Sequence, residues 1–510
     1  MAQYKNLSAL FFLLGFLLKP YDSSAQWGKD NIPNVVLIYT DDLGYGDLSF
    51  AGGKIPTPNI DKLFGEGINF THAYSSAATC TPSRYSLLTG EYAWRSKGRG
   101  VARGNASALI DSGRQTLASV FKEAGFKTAV IGKWHLGLGG ADGPDWNGVI
   151  SPGPLDIGFD EAFLIPATGD RVPTVFVKND RVLNLDPSDP ITVSYGEKVG
   201  DWPTGKENPE LLTTMYSHGH DQTIVNGVSR IGYMTGGKSA LWRDEDISDR
   251  LVEESRKFIS NSGNQPFFLY FSTHDIHVPR IAHERWQGRS GFGPRGDVIL
   301  QLDEAVGMIL NHLEKEKKLD STLIIFTSDN GPVWDDGYVD LAFELIGDHD
   351  ATGGLRGGKY SAFEAGTRVP FAVFGPGIPK GETQETIFSQ IDLLASFASL
   401  LGQSTDVNSA PDSEDHHLVL LGKSEEGREG LVQEAISGVL SYVSNDGFKY
   451  IPPSNGAAIV PWGPKIETGF SEKPQLYTLS DKREVENLAD KMPEKRAELA
   501  KKLQAVIDQK

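Results

Sequence analysis

Short apolar segments alternate with longer segments of helical periodicity, and this alternation constrains the fold more than any other feature of the chain. The first segment, residues 34–39, is a continuous apolar run rich in β-branched side chains, which is typical of a strand buried on both faces. Similar runs occur at residues 128–131, 267–271, 323–326 and 369–374. Helical patterns occur at residues 115–124, 246–259, 298–315 and 390–401. This order predicts an α/β fold with a large, mostly parallel sheet sandwiched by helices.

The chain is expected to divide into a larger N-terminal domain and a smaller C-terminal one. Within the first, residues 139–234 are rich in Gly, Pro, Asp and Asn, which predicts loops and short strands around an entrance to the site. After a polar segment come strand-like pieces at residues 430–450 and a charged helical pattern at 493–507. We place the N-terminal domain at residues 26–405 and an α+β subdomain with an antiparallel sheet at 406–510.

The N-terminus has the pattern of a signal peptide. Lys5 precedes an apolar run at residues 7–18, and small residues stand just before position 26. A membrane-spanning helix needs about 20 apolar residues, whereas this run is followed at once by Lys19 and Pro20. We therefore expect residues 1–25 to be removed and the protein to be exported without stable membrane insertion. A periplasmic location is favoured, with full secretion as the alternative.

Charge and cysteine content exclude several classes of protein. The formal net charge of −18 argues against a broad basic surface for nucleic acid, so we expect no nucleic-acid partner. A single cysteine, Cys80, excludes an intramolecular disulfide. In an exported protein a lone thiol is expected to be buried, reactive or chemically modified. The sequence does not indicate an oligomeric state.

Acidic and amide side chains follow two of the predicted strands. Asp41 and Asp42 come directly after the first strand, and Asp329 and Asn330 follow the strand at residues 323–326. Adjacent buried carboxylates repel each other unless a cation or proton lies between them. An all-oxygen ligand set favours calcium or magnesium. The alternative is that each pair caps a loop or a helix.

The segment that begins with Cys80 is predicted to open a short helix. Its sequence is Cys-Thr-Pro-Ser-Arg, with Pro82 suited to a first helical turn and Gly90 to a helix end. A helix N-terminus favours negative charge, and Arg84 adds a positive charge nearby. Cys80 is therefore a candidate reactive residue, with a buried structural cysteine as the alternative.

These motifs together resemble one family. Residues 80–84 match the Cys-x-Pro-x-Arg signature of the type I formylglycine-dependent sulfatases of the alkaline phosphatase superfamily, and Leu-Thr-Gly at 88–90 continues it. The second family signature, Gly-Lys-Trp-His-Leu-Gly, occurs at residues 132–137. Further matches lie at residues 40–47, 328–331, 357–359 and 476–489. The chain is thus similar, over nearly all of its length, to exported bacterial carbohydrate and aryl sulfatases.

The resemblance implies an alkaline phosphatase-like fold and hydrolysis of sulfate esters. It implies that a formylglycine-generating, or sulfatase-maturating, enzyme oxidises Cys80 to formylglycine (3-oxoalanine), whose hydrate attacks sulfur. It also implies that modified Cys80 and four further residues bind Ca²⁺, with Mg²⁺ as the alternative. Those four are Asp41, Asp42, Asp329 and Asn330.

Other catalytic roles also come from the resemblance. Arg84 would orient the hydrated aldehyde, Lys133 and Lys359 would bind the sulfate, and His135 would act as base. A sugar oxygen is a poor leaving group and needs a general acid. We assign that role to His277, which matches the family's His-x-Pro element. His274 is an alternative, and Lys359 is a candidate to share the role.

Substrate selection is predicted from loop positions alone. Five loop residues near predicted strand ends are candidates for binding the sugar, although each is also compatible with a solvated loop: Arg171, His218, His220, His349 and Arg356. We expect exo-acting removal of sulfate from galactose or N-acetylgalactosamine in host glycans or sulfated polysaccharides, at an unspecified position.

Three alternatives remain at this point. The first is a phosphonate monoester or phosphodiester hydrolase of the same superfamily. The second is a non-catalytic protein that binds sulfated glycans, favoured if Cys80 is unmodified. The third is a thiol hydrolase with His135 as base, which leaves the oxygen ligands unexplained.

Overall fold

The computed structural model of the protein describes residues 33–96, 100–406 and 408–509. The predicted signal peptide at residues 1–25 lies outside the described residues. None of the helices in the described ranges combines the length and the apolar composition that a bilayer-spanning segment needs.

Strands and helices alternate through the first domain. The strands of the described residues are β1 (Asn34–Thr40), β2 (Ile68–Phe70), β3 (Ala73–Tyr74), β4 (Lys127–Lys133), β5 (Glu161–Ile165), β6 (Val177–Lys178), β7 (Arg181–Val182), β8 (Thr192–Ser194), β9 (Ile224–Val225), β10 (Val228–Ser229), β11 (Tyr233–Thr235), β12 (Phe267–Ser272), β13 (Thr322–Ser328), β14 (Phe371–Phe374), β15 (Glu382–Gln384), β16 (Phe388–Ser389), β17 (Gly430–Glu434), β18 (Leu440–Ser444), β19 (Phe448–Ile451) and β20 (Gln475–Thr478). The α-helices are α1 (Pro58–Gly65), α2 (Cys80–Thr89), α3 (Leu117–Glu123), α4 (Ile247–Asn261), α5 (Gly293–Lys315), α6 (Ala342–Leu345), α7 (Glu364–Thr367), α8 (Leu393–Leu400), α9 (His417–Leu420) and α10 (Pro493–Asp508).

A large sheet forms the centre of the first domain, in the order β15-β2-β14-β13-β1-β12-β4-β5-β6-β7. Its middle strands, β13, β1, β12, β4 and β5, run parallel. Antiparallel pairing begins where β14 meets β13 on one side and where β6 meets β5 on the other. The predicted α/β fold with a mostly parallel central sheet is confirmed, with antiparallel strands towards both edges.

Helices cover both faces of this sheet. In β1, Leu37 packs into a core that includes Phe121 of α3 and Phe397 of α8. The next residue, Ile38, packs on the other side against a core that includes residues of α1, α4 and α5. Since side chains alternate between the faces of a strand, a strand covered on both faces must be apolar at every position. This explains the continuous apolar run at residues 34–39.

The C-terminal part carries a separate antiparallel sheet, in the order β17-β18-β19-β20, with α10 packed on it. Leu431, Val443 and Leu499 contribute to its core. The predicted antiparallel sheet of the C-terminal part is therefore confirmed, whereas the boundary at residues 405 and 406 stays a prediction. Within residues 139–234 the structure has loops and short strands as expected, but β5, β6 and β7 also join the central sheet.

Candidate active site

The candidate active site lies at the carboxyl ends of neighbouring parallel strands. Thr40 of β1 pairs with Ser328 of β13, so the residues that follow these strands lie side by side. One carboxylate oxygen from each of Asp41, Asp42 and Asp329 lies within 4.8 Å of the others. All of these side chains are fully buried. Burial raises the pKa of Asp41 and of Asp42 above the usual carboxyl range.

The oxygen atoms of this cluster fit a hard divalent cation. Asp41 Oδ1 and Asn330 Oδ1 are buried and have no hydrogen-bond partner in the structure. Asn330 Nδ2 donates to Asp42 Oδ1 at 2.8 Å, which leaves the amide oxygen free to bind a cation. Buried oxygens without partners are costly, and hard divalent cations bind such oxygens. Asp41, Asp42, Asp329 and Asn330 could therefore hold the metal.

Cys80 begins α2, as predicted, and is only 2% exposed. Its Sγ lies 3.3 Å from His135 Nδ1. The other ring nitrogen, His135 Nε2, lies 2.9 Å from the Ala102 carbonyl oxygen. Because a carbonyl oxygen can only accept a hydrogen bond, Nε2 carries the proton, and Nδ1 presents a lone pair to residue 80.

The electrostatics fit a His135 base better than a Cys80 thiolate. Burial, reinforced by the Lys133 ammonium, lowers the pKa of His135 well below its usual range and keeps the ring neutral. Burial also raises the pKa of the Cys80 thiol. An unmodified Cys80 would thus be a poor nucleophile, which weighs against a thiol hydrolase.

Gly132 explains part of the second family signature. It has a φ of +123° and lies near the end of β4, beside Ser272 of β12. A Cβ at this position would lie 1.6 Å from the Ser272 carbonyl oxygen. Only glycine allows this close approach of β4 to β12, which brings Lys133 and His135 to the site.

Buried basic groups pair with each carboxylate of the cluster. Lys133 Nζ donates to Asp41 Oδ2 at 2.6 Å. Arg84 Nη2 donates to Asp329 Oδ2 at 2.7 Å. Lys359 Nζ donates to Asp42 Oδ2 at 2.9 Å. The structure thus brings together the predicted nucleophile, metal ligands and cations, while their chemical roles stay predictions.

Two buried histidines follow β12 and lie beside this cluster. His277 Nδ1 lies 2.7 Å from the Val278 carbonyl oxygen and therefore carries a proton, which leaves Nε2 available. One ring nitrogen of His277 lies within 4.8 Å of carboxylate oxygens of Asp42 and Asp336. His274 Nδ1 lies 4.0 Å from Asp41 Oδ2, beside the end of β1.

Asp336 is a residue of this site that the sequence analysis did not identify. It accepts hydrogen bonds from Lys359 Nζ and from the Tyr360 hydroxyl, each at 2.8 Å. Although burial opposes the charge, Asp336 and Asp42 together raise the pKa of Lys359 well above its usual range. The available signal was a second acidic pair, at residues 335–336, shortly after Asp329.

Some of the predicted sugar-binding residues gather around another unpredicted residue, Asp170. Arg171 Nη1 lies 2.8 Å from Asp170 Oδ1, and His220 Nε2 lies 2.9 Å from Asp170 Oδ2. His220 Nδ1 lies 2.7 Å from the carbonyl oxygen of His218. We call Asp170, Arg171, His218 and His220 the rim group. It borders the site, since Gly169 adjoins the His274 ring and Arg171 contributes to lowering the pKa of His135.

Two other predicted sugar-binding residues make different contacts. His349 Nε2 lies 2.9 Å from Asp47 Oδ1, and Arg295 also binds Asp47. Arg356 forms an ion pair with Glu467 and lies over the Phe363 ring. The structure therefore holds His349 in a contact with Asp47 and Arg356 in an ion pair with Glu467, both outside the rim group. A role of either residue in binding sugar stays a prediction.

Comparisons with known proteins agree on one family. The model of the sulfatase family matches residues 33–403. An N-acetylgalactosamine-6-O-sulfatase of Bacteroides thetaiotaomicron is 52% identical over 509 residues, covering 98% of this chain and 99% of that protein. Human arylsulfatase A is 32% identical over 404 residues, covering 78% of this chain and 70% of that protein.

A solved structure gives the same result for the fold. It comes from work on the metabolism of multiple glycosaminoglycans by Bacteroides thetaiotaomicron and matches with a TM-score of 0.92 at 53% identity. The match covers 93% of this chain and 99% of that one.

Proposed function

The chain belongs to the sulfatase family, and we propose that it removes the 6-O-sulfate from N-acetylgalactosamine, or from galactose, at the end of a sulfated glycan. Membership of the family makes it a sulfuric ester hydrolase. The position and the sugar are supported by the N-acetylgalactosamine-6-O-sulfatase that is similar over nearly the whole chain.

The observation that carries the proposed chemistry is the contact between residue 80 and His135. A lone buried cysteine at a helix N-terminus faces an unprotonated His135 nitrogen at 3.3 Å, beside a cluster of metal-ligand oxygens. We propose that a sulfatase-maturating enzyme oxidises Cys80 to formylglycine. The signal-peptide pattern of residues 1–25 supports export, with the periplasm as the favoured location.

The proposed metal is Ca²⁺, with Mg²⁺ as the alternative. When bound, it would supply a Lewis acid and a template for the sulfate. Its ligands would be Asp41, Asp42, Asp329, Asn330 and the modified residue 80. Oxygen ligands alone support a hard cation over zinc.

The charge of the site supports a sulfate monoester as substrate. Four buried carboxylates face three buried basic groups, and a divalent cation would leave one positive charge in excess. That excess matches the single negative charge of a sulfate monoester. The carboxylates and basic groups are Asp41, Asp42, Asp329, Asp336, Arg84, Lys133 and Lys359.

The residues of the site have separate roles in the reaction. Lys133 and Lys359 hold the sulfate oxygens, and Arg84 orients the hydrated residue 80. An oxygen of residue 80 gives up its proton to solvent and bonds to sulfur while the bond between sulfur and the sugar oxygen breaks, and His277, protonated on both ring nitrogens, donates its Nε2 proton to that oxygen. Burial and the Lys133 and Lys359 ammonium groups lower the pKa of His277, so this second proton requires the negative charge of the bound sulfate ester beside the ring. His135 then takes the proton of the remaining hydroxyl, the aldehyde forms again and sulfate leaves.

A panel of sulfated sugars tests the proposed substrate. We expect matured enzyme to release sulfate from 6-sulfated N-acetylgalactosamine and 6-sulfated galactose at least ~10-fold faster than from 6-sulfated N-acetylglucosamine, in which the 4-hydroxyl is equatorial. Ion chromatography of released sulfate measures the rates. Preference for 3- or 4-sulfated sugars would contradict the proposed position, and faster hydrolysis of a phenyl phosphonate would favour the phosphonate hydrolase.

Replacement of His277 tests the general acid. We expect His277→Ala to lower kcat on the 6-sulfated sugar by about 10²- to 10⁴-fold, the range of general acid catalysis. The loss on 4-nitrophenyl sulfate should be far smaller, because nitrophenolate leaves without protonation. The same two rates are measured for His274→Ala, because His274 is the alternative candidate for the general acid. Equal losses of His277→Ala on both substrates would assign the acid to another group.

A further inference from the structure

An exposed tryptophan of the C-terminal part lies beside the candidate active site. Trp462 belongs to the loop at residues 452–474, between β19 and β20. Its side chain is 37% exposed. The ring packs edge-on against Tyr360, with 5.2 Å between ring centroids and an interplanar angle of 81°. Trp462 is thus held in position by an aromatic contact while part of its surface stays open.

Tyr360 connects this ring to the sulfate-binding region. It directly follows Lys359, and its hydroxyl shares the Asp336 carboxylate with the Lys359 ammonium. Exposure rises along this path, from 2% at Lys359 to 8% at Tyr360 and 37% at Trp462. Trp462 therefore marks the direction from the buried sulfate-binding groups to solvent.

The same loop approaches the rim group. A Cβ at Gly463, the residue after Trp462, would lie 2.5 Å from the His218 ring. Gly463 has a φ of +135°, which other residues rarely adopt. The tip of the loop thus fits between Tyr360 and His218, and the side chain of His218 is itself 25% exposed. The C-terminal part therefore completes the border of the site.

We propose that Trp462 is the platform on which the sugar next to the sulfated unit stacks. An exposed aromatic ring offers a large, rigid apolar surface, which suits the C–H face of a pyranose. With the sulfate held by the buried lysines, the rest of the glycan extends towards solvent, the direction in which exposure rises from Lys359 through Tyr360 to Trp462. This inference rests on the proposed function, and it makes the preferred substrate an oligosaccharide end.

A sugar that stacks on Trp462 gains binding energy from a contact that does not involve the reacting atoms. An interaction that is equal in the ground state and the transition state changes KM and leaves kcat alone. We therefore expect Trp462→Ala to raise KM for a 6-sulfated disaccharide about 10-fold more than KM for the 6-sulfated monosaccharide, the scale of one good aromatic contact. Trp462→Phe should restore most of the difference.

The matched control is Ile459→Ala, because Ile459 lies on the same loop as Trp462 and is 46% exposed. We expect it to change neither KM. Thermal denaturation of each variant checks that the loop change leaves the fold intact. Equal KM changes on both sugars with Trp462→Ala, or none on either, would overturn the proposal.

Binding separates this proposal from the proposed function. In a Cys80→Ala background, calorimetry with the 6-sulfated disaccharide should show about 10-fold weaker binding when Trp462→Ala is added. If the wild-type enzyme releases no sulfate from 6-sulfated sugars, the proposed function fails. If Trp462→Ala leaves the affinity for the disaccharide unaltered in this background, the proposed role of Trp462 is wrong, whatever rate of sulfate release the wild-type enzyme shows.

Discussion

Cys80→Ala is expected to lower sulfate release by ~10⁴-fold or more, the scale seen when a covalent nucleophile is removed. Alanine cannot be oxidised to an aldehyde, so no oxygen would remain at position 80 to attack sulfur. The fold should persist, because the change is small and the thiol contacts His135 Nδ1 at 3.3 Å without an ion pair. Sulfate release and thermal denaturation together measure both effects.

Cys80→Ser and Ser76→Ala complete this experiment. Serine supplies an oxygen but, if it stays an alcohol, lacks the second hydroxyl that expels sulfate, so we expect at most one turnover. Ser76 lies in the segment before Cys80, is buried, and its Oγ has no hydrogen-bond partner in the structure. Ser76→Ala should therefore retain activity. Turnover by Cys80→Ala within tenfold of wild type would refute a nucleophile at this position.

Removal of the metal is expected to have the second large effect. A cation that stabilises several kcal/mol of charge accounts for about 10³-fold in rate, so chelation should reduce activity by that factor and added Ca²⁺ should restore it. Asp42→Asn should cause a similar loss that the same Ca²⁺ concentration does not restore. The substitution keeps the shape of the side chain but removes the charge beside Asn330 and Lys359.

Asp320→Asn is the matched control for the ligand change. Asp320 is exposed and lies before β13, whereas Asp329 follows the same strand at its other end. The variant removes one negative charge at the opposite end of β13 and should keep full activity. If chelated enzyme stays active, or if Asp42→Asn and Asp320→Asn behave alike, the metal site is wrong.

The central strands could be predicted because burial on both faces leaves a local signal. The apolar runs at residues 34–39 and 323–326 correspond to β1 and β13, which pair with each other in the sheet. The short edge strands β6 and β7 carry no such signal, because they are fixed only by pairing with β5 and with each other. Helix α5 begins at Gly293, before the predicted start at residue 298, with Pro294 in its first turn.

The site could be predicted as far as it follows strand ends and motifs. The sequence analysis places Asp41 and Asp329 after two different strands, and they lie side by side because these strands are parallel neighbours that end at the same side of the sheet. Asp170 and Asp336 were missed, since their partners come from distant segments that meet only in the folded chain. For the same reason, loop position alone did not reveal that His349 pairs with Asp47.

The most direct test of the account is the mass of the peptide that contains residue 80, in enzyme purified from its native host and shown to release sulfate. We expect a mass about 18 Da below that of the unmodified peptide, as oxidation of the thiol side chain to an aldehyde requires. An unmodified thiol in fully active enzyme would contradict the formylglycine nucleophile.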